Sequence, residues 1–390
     1  MRLAEVDGKA LLRRHGLAVP RGVLLRPGDA PPPDATFPHG SYLKAQVLED
    51  GRERRGLVRR LASTTDYREA RRLILATVDD AHTPLLVEEA IPAACEIYVA
   101  VRIDDVHQGL ELLIASRGSA NVERANVERA TVERSAKLVR MPITPETGPE
   151  AIYPAIAKLF PPALARRLAS YAARLPEIAR QEDLELLEID PLVETADGAL
   201  IACDVKIVRD DSAAFRHAPD TFPLSRAQAE RTMTPLERRA RGLGFRLVET
   251  AGDIVLVTSG AGLAMMMADL LADHGLRAAS FMDNLRGAPC DNTTERLQIA
   301  GALAAHRTIK AIVFQAMMAS GPLALQIEAL TSWIEAERPP KPLFVGLTAA
   351  GGAANCTTRL ERARAKLRDF GVPTFSDPIA LAKAVAAAVG

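Results

Sequence analysis

No stretch of this chain stays apolar for the ~20 residues needed to cross a bilayer, and the amino terminus lacks the apolar core of a secretory leader. Both absences set the expectation of a soluble protein. There is no excess of charge of either sign: 49 basic residues balance 49 acidic ones, which argues against a broad surface for binding polyanions. Only local basic runs, such as Arg52 to Arg60, offer phosphate contacts. Cysteine is scarce. Cys95, Cys203, Cys290 and Cys356 show neither C-x-x-C spacing nor a disulfide framework, so a reduced, cytoplasmic setting is expected. The histidines (His15, His39, His82, His107, His217, His274, His306) stand apart without triad or metal-ligand spacing, and none is expected to act as a catalytic nucleophile.

At 390 residues the chain is long for one core, and two or three domains are expected. The first break is the proline-rich stretch from Arg26 to Pro33. Residues 66–80 and 163–181 read as helices. Residues 121–135 repeat Asn-Val-Glu-Arg-Ala at a five-residue period that suits neither helix nor strand, so an expanded, solvated loop is expected there. A charged, proline-bearing connector spans 209–252, with a surface helix over 225–244. From Asp253 onward strand-like runs (253–258, 278–282, 310–315, 342–347, 373–376) alternate with helical ones, the signature of a doubly wound parallel sheet. The domain expectation is therefore 1–208, a connector at 209–252, and 253–390.

The segment from Leu187 to Asp204 carries the most chemistry. Two β-prone runs flank Ala196-Asp197-Gly198, a hairpin-turn signal, and place Asp190 and Asp204 on opposite arms away from the turn. Glu188 lies two residues from Asp190 on the same face. Clustered carboxylates that leave coordination positions open suit Mg²⁺ bound together with phosphate oxygens. An ordinary hairpin with solvated acids is the competing reading. Upstream, Lys44 sits in the strand pattern Tyr42–Val47, followed by a glycine-bearing basic loop over 48–58. Two further strand patterns cover 84–90 and 96–101.

This order of elements resembles the ATP-grasp domain of the β-subunit of the succinyl-CoA synthetase and malate-CoA ligase family. Leu3-Ala4-Glu5 and the run from Lys9 to Leu17 look like that family's opening helix, and the likeness extends to the C-terminus. The fold it implies is an N-terminal ATP-grasp domain followed by a flavodoxin-like doubly wound domain. It implies that Lys44, Gly51, Arg52, Glu88, Ile91 and Glu96 bind ATP or GTP. In the same comparison Asp190 and Asp204 bind Mg²⁺, with Asp190 standing where the family has asparagine. Without the family, Lys44 reads as a solvated edge residue and Glu96 as a half-exposed strand acid. Asp50, Glu53 and Arg55 replace small residues, which makes the loop less flexible.

In the second half, Ser259-Gly260-Ala261-Gly262-Leu263-Ala264-Met265 matches the family's segment after the first strand of that domain. Alone it is weak, since tight helix–strand packing explains it as well. Ser259 replaces an asparagine of the carboxylate-substrate site. Asp283-Asn284-Leu285-Arg286-Gly287-Ala288 and Met317-Met318-Ala319-Ser320-Gly321 replace glycine-rich loops, so Met318, Ala319 and Ser320 are candidate substrate contacts in a remodelled pocket. The resemblance implies an ADP-forming carboxylate–CoA ligase subunit. Its obligate α-type partner would carry CoA and the phosphorylated histidine, in an α2β2 assembly. A nucleotide-binding regulatory subunit that has lost catalysis, or a ligase with an acceptor other than CoA, are the alternatives.

Overall fold

In the computed structural model of the chain, residues 1–33, 37–116, 138–144, 147–218, 221–258, 260–284, 292–318, 323–349 and 354–389 are described. They form two compact units, Met1–Glu230 and Arg231–Gly390. The repeat at 121–135, Ser259, Ala319, Ser320 and the loop from Leu285 fall outside the described residues.

The first unit opens with helix α1 (Glu5–Arg14). A four-stranded antiparallel sheet follows, built from β1 (Gly22–Leu25), β2 (Ser41–Ala45), β3 (Val58–Leu61) and β4 (Leu85–Glu89) in the order β1-β4-β2-β3. Side chains alternate across a strand. Leu43 and Ala45 of β2 and Leu85 and Val87 of β4 therefore pack with Ile74 of helix α2 (Tyr67–Val78). Lys44 and Glu88 fall on the opposite face.

A second antiparallel sheet comprises β5 (Cys95–Asp104), β6 (Gly109–Ser116), β7 (Leu138–Ile143), β8 (Leu184–Glu194), β9 (Leu200–Ala202) and β10 (Val205–Arg209). Its order is β10-β8-β5-β6-β7, with β9 paired to β8. Val99, Val101, Leu187 and Ile189 cover one face together with α1 and with helices α3 (Pro149–Ile156), α4 (Pro162–Ala172) and α5 (Leu175–Gln181). The expected single helix over 163–181 is thus two, parted at Ala173-Arg174, with Pro176 in the first turn of the second, where its missing N–H costs no helical bond.

Helix α6 (Pro223–Thr232) closes the first unit. In the second unit, α7 (Pro235–Gly242) starts with a capping box in which Thr234 and Glu237 satisfy each other's backbone N–H groups. Strand β11 (Phe245–Glu249) was hidden in the expected connector; Phe-Arg-Leu-Val-Glu alternates, and Phe245 and Leu247 are buried. The parallel sheet runs β12 (Ile254–Thr258), β14 (Ala311–Met318), β15 (Leu343–Ala349) and β16 (Thr374–Phe375), in that order. Strand β13 (Ser280–Asn284) pairs along its length with β11 and meets β12 only at the parallel bridge Ile254–Ala278. That order, with β13 outside β12, is the doubly wound arrangement expected.

Period-2 alternation covers both faces of this sheet. Val255, Val257, Ile312 and Phe314 join a core with α9 (Thr293–Ala304), α10 (Leu323–Glu337) and α11 (Ala354–Asp369). Ile254, Leu256, Ala311 and Val313 face α8 (Ala261–Ala272) and α12 (Pro378–Val389). Among the described residues, no helix is long and apolar enough to cross a membrane.

Candidate functional site

The acidic hairpin forms as expected. Its turn is closed by Thr195 N–H donating to Ala199 O and Gly198 N–H to Thr195 O, with Gly198 at φ +86°, where glycine avoids a Cβ penalty. The chain then returns along β8 as β10, and Asp190 N–H donates to Asp204 O at 3.1 Å. The two aspartates are therefore backbone neighbours. Glu188 lies beside them; burial raises its carboxyl above the ordinary range, with Lys206 opposing and Asp190 adding to the shift. Tyr98 donates its hydroxyl to Glu188 Oε2 at 3.4 Å.

The four-stranded sheet, the basic loop and α1 converge near Asp204. Lys44 Nζ donates to Glu5 Oε1 at 2.7 Å, to Cys203 O at 2.9 Å and meets Glu88 Oε2 at 2.8 Å. Lys9 Nζ donates to Glu5 Oε1 at 2.6 Å, to both oxygens of Glu88 at 2.6 Å, and to Cys203 O at 2.7 Å. Arg52 reaches in from the loop: Nη1 donates to Glu5 Oε2 at 2.7 Å, and Nη2 to Asp204 Oδ1 at 2.6 Å. Lys9, Lys44 and Arg52 are thus balanced against Glu5, Glu88 and Asp204.

The charges are mutually sustained. Burial pushes Lys44 down, but Glu5, Glu88 and Asp204 outweigh it and hold the ammonium charged. Burial likewise opposes charge on Arg52, and Glu5 and Asp204 overcome it. Glu5 is pushed up by burial, yet Lys44, Lys9 and Arg52 together keep it well below the usual glutamate value. Burial raises the Cys203 thiol to about 12, so it stays protonated near neutral pH and is no nucleophile.

The structure therefore brings Lys44, Arg52, Glu88 and Asp204 into one region, with Asp190 the backbone neighbour of Asp204. Gly51 lies in the same loop with φ +67°, a left-handed conformation that favours glycine. Ile91 is half-buried just past β4, and Glu96 is half-buried on β5 two residues from Tyr98. Glu88 turns its carboxylate entirely toward Lys9 and Lys44. Of the candidate substrate residues, Met318 ends β14, where its backbone pairs with Ala349. Glu5 and Lys9 were missed as site residues, because an i, i+4 Glu–Lys pair on a helix reads as a solvated face. His15 and His217 pair with Glu182 and Asp183 rather than with this cluster.

The donor chemistry bears on the expected metal. Among the described residues no three His, Cys, Asp or Glu side chains are grouped to hold an ion by themselves. Two carboxylates on adjacent strands, Asp190 and Asp204, fit the partial shell of a hard cation that takes its remaining ligands from phosphates and water.

Such a site, on paired antiparallel sheets joined to a doubly wound unit, defines a nucleotide-binding ligase subunit of the ATP-grasp type. A family model described as an ATP-grasp domain matches residues 2–194. A succinate–CoA ligase [ADP-forming] subunit beta from Desulfurococcus amylolyticus is 31% identical over 320 residues, covering 80% of this chain and 81% of that protein. The GDP-forming counterpart from Thermus thermophilus is 31% identical, with 77% and 78% covered. The ADP-forming subunit from Ignicoccus hospitalis is 28% identical and covers 96% of both chains. A solved structure of ATP citrate lyase from Methanothrix soehngenii shares the fold, with a TM-score of 0.65, 16% identity, and 99% and 98% of the two chains covered. The chain belongs to the family of succinate–CoA ligase β-subunits, which are subunits of acid–thiol ligases.

Proposed function

We propose that this chain binds a nucleoside triphosphate between its two N-terminal sheets and, with an α-type partner, couples its hydrolysis to formation of a CoA thioester. The observation that carries this reading is the convergence of Lys44, Arg52 and Asp204 from three separate elements on one point. The γ-phosphoryl group passes from ATP to a histidine nitrogen of the partner, leaving ADP. The phosphohistidine then gives the phosphoryl group to a carboxylate oxygen, and the CoA thiol attacks the acyl phosphate, losing its proton and releasing phosphate.

Within this chain, Lys44 and Arg52 hold and neutralise phosphate oxygens, the main electrostatic task in phosphoryl transfer. Asp190 and Asp204 would hold Mg²⁺, which spreads the charge of the transferring group when bound. Ile91 and Glu96 border the space for the base and ribose, and Gly51 gives the loop the turn that brings Arg52 inward. Ser259, Met318, Ala319 and Ser320 remain our candidates for contact with the acid. The assembly is proposed as an α2β2 heterotetramer working in the cytoplasm. Residues 1–208 are proposed to serve the nucleotide, and 253–390 the acid and the partner.

The test is co-expression with an α-type subunit and measurement of thioester formation with ATP and with GTP across a panel of dicarboxylic acids. Product formation that is lost in Asp204→Ala supports the proposal and identifies the acid. Nucleotide binding with no thioester for any acid overturns it in favour of a regulatory subunit.

A further inference from the structure

We infer that Glu5 and Lys9 of α1 are positioning residues of the nucleotide site, holding Lys44, Arg52 and Glu88 in place without touching the nucleotide themselves. The inference rests on the nucleotide-site reading above and adds two residues that act through others.

Side-chain exposure rises in order across the network: Glu5 1%, Lys9 3%, Lys44 7%, Arg52 11%, Asp204 36%. A ligand arriving from solvent meets Asp204, Arg52 and Lys44, while Glu5 and Lys9 lie behind them. Each hidden residue makes several bonds to those in front. Glu5 divides its carboxylate, giving Oε1 to Lys44 and Lys9 and Oε2 to Arg52. It thereby keeps two phosphate-facing cations together that would otherwise repel. Lys9 fixes both oxygens of Glu88 and so the anion against which Lys44 is set. Lys9 and Lys44 also share Cys203 O, the carbonyl immediately before Asp204.

The helix that carries this pair is itself held. Val6 N–H donates to Gln46 Oε1 at 3.0 Å and Ala4 N–H to Ser225 Oγ at 2.8 Å, so outside groups satisfy N–H groups that the helix start leaves open. Gln46 lies two residues from Lys44 on the same chain segment. Asp7 accepts from both Ser225 N–H and Oγ. Gly8 allows close approach to β10, since a Cβ there would stand 3.0 Å from Val205 Cγ2.

The test is calorimetric titration of the full chain with Mg²⁺-ATP, which reads affinity and the fraction of competent sites separately. Glu5→Gln and Lys9→Met are compared with Glu111→Gln, which also removes a buried charge, but one paired with Arg102 at 2.8 Å on β5 and β6, away from the cluster. A positioning role raises Kd about 10-fold in both variants with stoichiometry near wild type, and leaves Kd unchanged in Glu111→Gln. Reduced stoichiometry at wild-type Kd, or equal Kd changes in all three variants, would show a merely structural role and overturn the inference. Lys44→Ala separates the two levels. If it binds Mg²⁺-ATP as wild type does, the nucleotide-site reading falls and takes this inference with it. If Lys44→Ala is weakened while Glu5→Gln and Lys9→Met are not, only the inference falls.

Discussion

Arg52 Nη2 stands 2.6 Å from Asp204 Oδ1, so the loop guanidinium is paired with a carboxylate that we propose as a Mg²⁺ ligand. Under that proposal a metal–nucleotide complex would compete with Arg52 for Asp204, and the exchange would turn Arg52 toward phosphate.

That exchange predicts opposite effects from one substitution. Arg52→Ala frees the Asp204 carboxylate, so Mg²⁺ alone binds more tightly. The nucleotide loses a phosphate contact, and its affinity falls about 10-fold, in line with a charge-assisted bond of ~1.5–3 kcal/mol. Parallel titrations with Mg²⁺ and with Mg²⁺-ATP check this; changes of the same sign would count against it.

The buried network also sets an acid limit on stability. Glu5 is charged in the folded state well below its ordinary value of 4.5. A depressed folded value contributes stability above the unfolded value, and that share is lost as pH falls through the folded one. Denaturant midpoints of the wild type should drop below about pH 4.5, while Glu5→Gln, less stable at neutral pH, should show a shallower acid slope. An unchanged slope would show that Glu5 is not a source of the acid sensitivity.

Asp50 ties the basic loop to the body of the unit. It bonds Arg2, which with Lys206 lowers its carboxyl to about 2 against the opposing effect of burial, and it pairs with Lys206 at 2.7 Å. The ion pairs are largely exposed, so Asp50→Asn should change global stability by less than ~1 kcal/mol. Local opening is another matter: amide exchange across residues 49–56 should quicken. Exchange at the wild-type rate would mean that the backbone turn from Gly51 to Leu57 and the Arg52 bonds to Glu5 and Asp204 hold the loop without Asp50.

In the second unit Gly252 marks a close backbone approach. A Cβ there would fall 2.1 Å from Ala278 O, a carbonyl of the chain entering β13. Gly252→Ala should destabilise this unit by ~1–3 kcal/mol, as overpacking does elsewhere, and leave nucleotide binding by the first unit intact. Thermal unfolding followed with and without ATP checks both halves.

Much of this was legible from residue order alone, where local rules and burial agree. The Asp-Gly turn, the strand around Lys44 and the alternating runs after Asp253 all declare themselves through period and turn chemistry. Glu5 and Lys9 did not, because burial of a helical ion pair depends on what packs over it, and spacing alone reads as a solvated face. Strand β11 was missed for a related reason: Phe245 and Leu247 alternate correctly, but five residues inside a charged stretch give a short signal. The neighbouring proline at position 235 explains why the expected helix over 225–244 is divided into two.

The central claim is that this chain delivers the phosphoryl group. The most direct measurement is transfer of label from γ-labelled ATP to the partner's histidine in the co-expressed complex, in single turnover. Labelled histidine is expected in the wild type and at least ~100-fold slower labelling in Lys44→Ala, the cost of removing a group that stabilises developing charge. Labelling at the same rate in Lys44→Ala, or none in the wild type with either ATP or GTP, would contradict it.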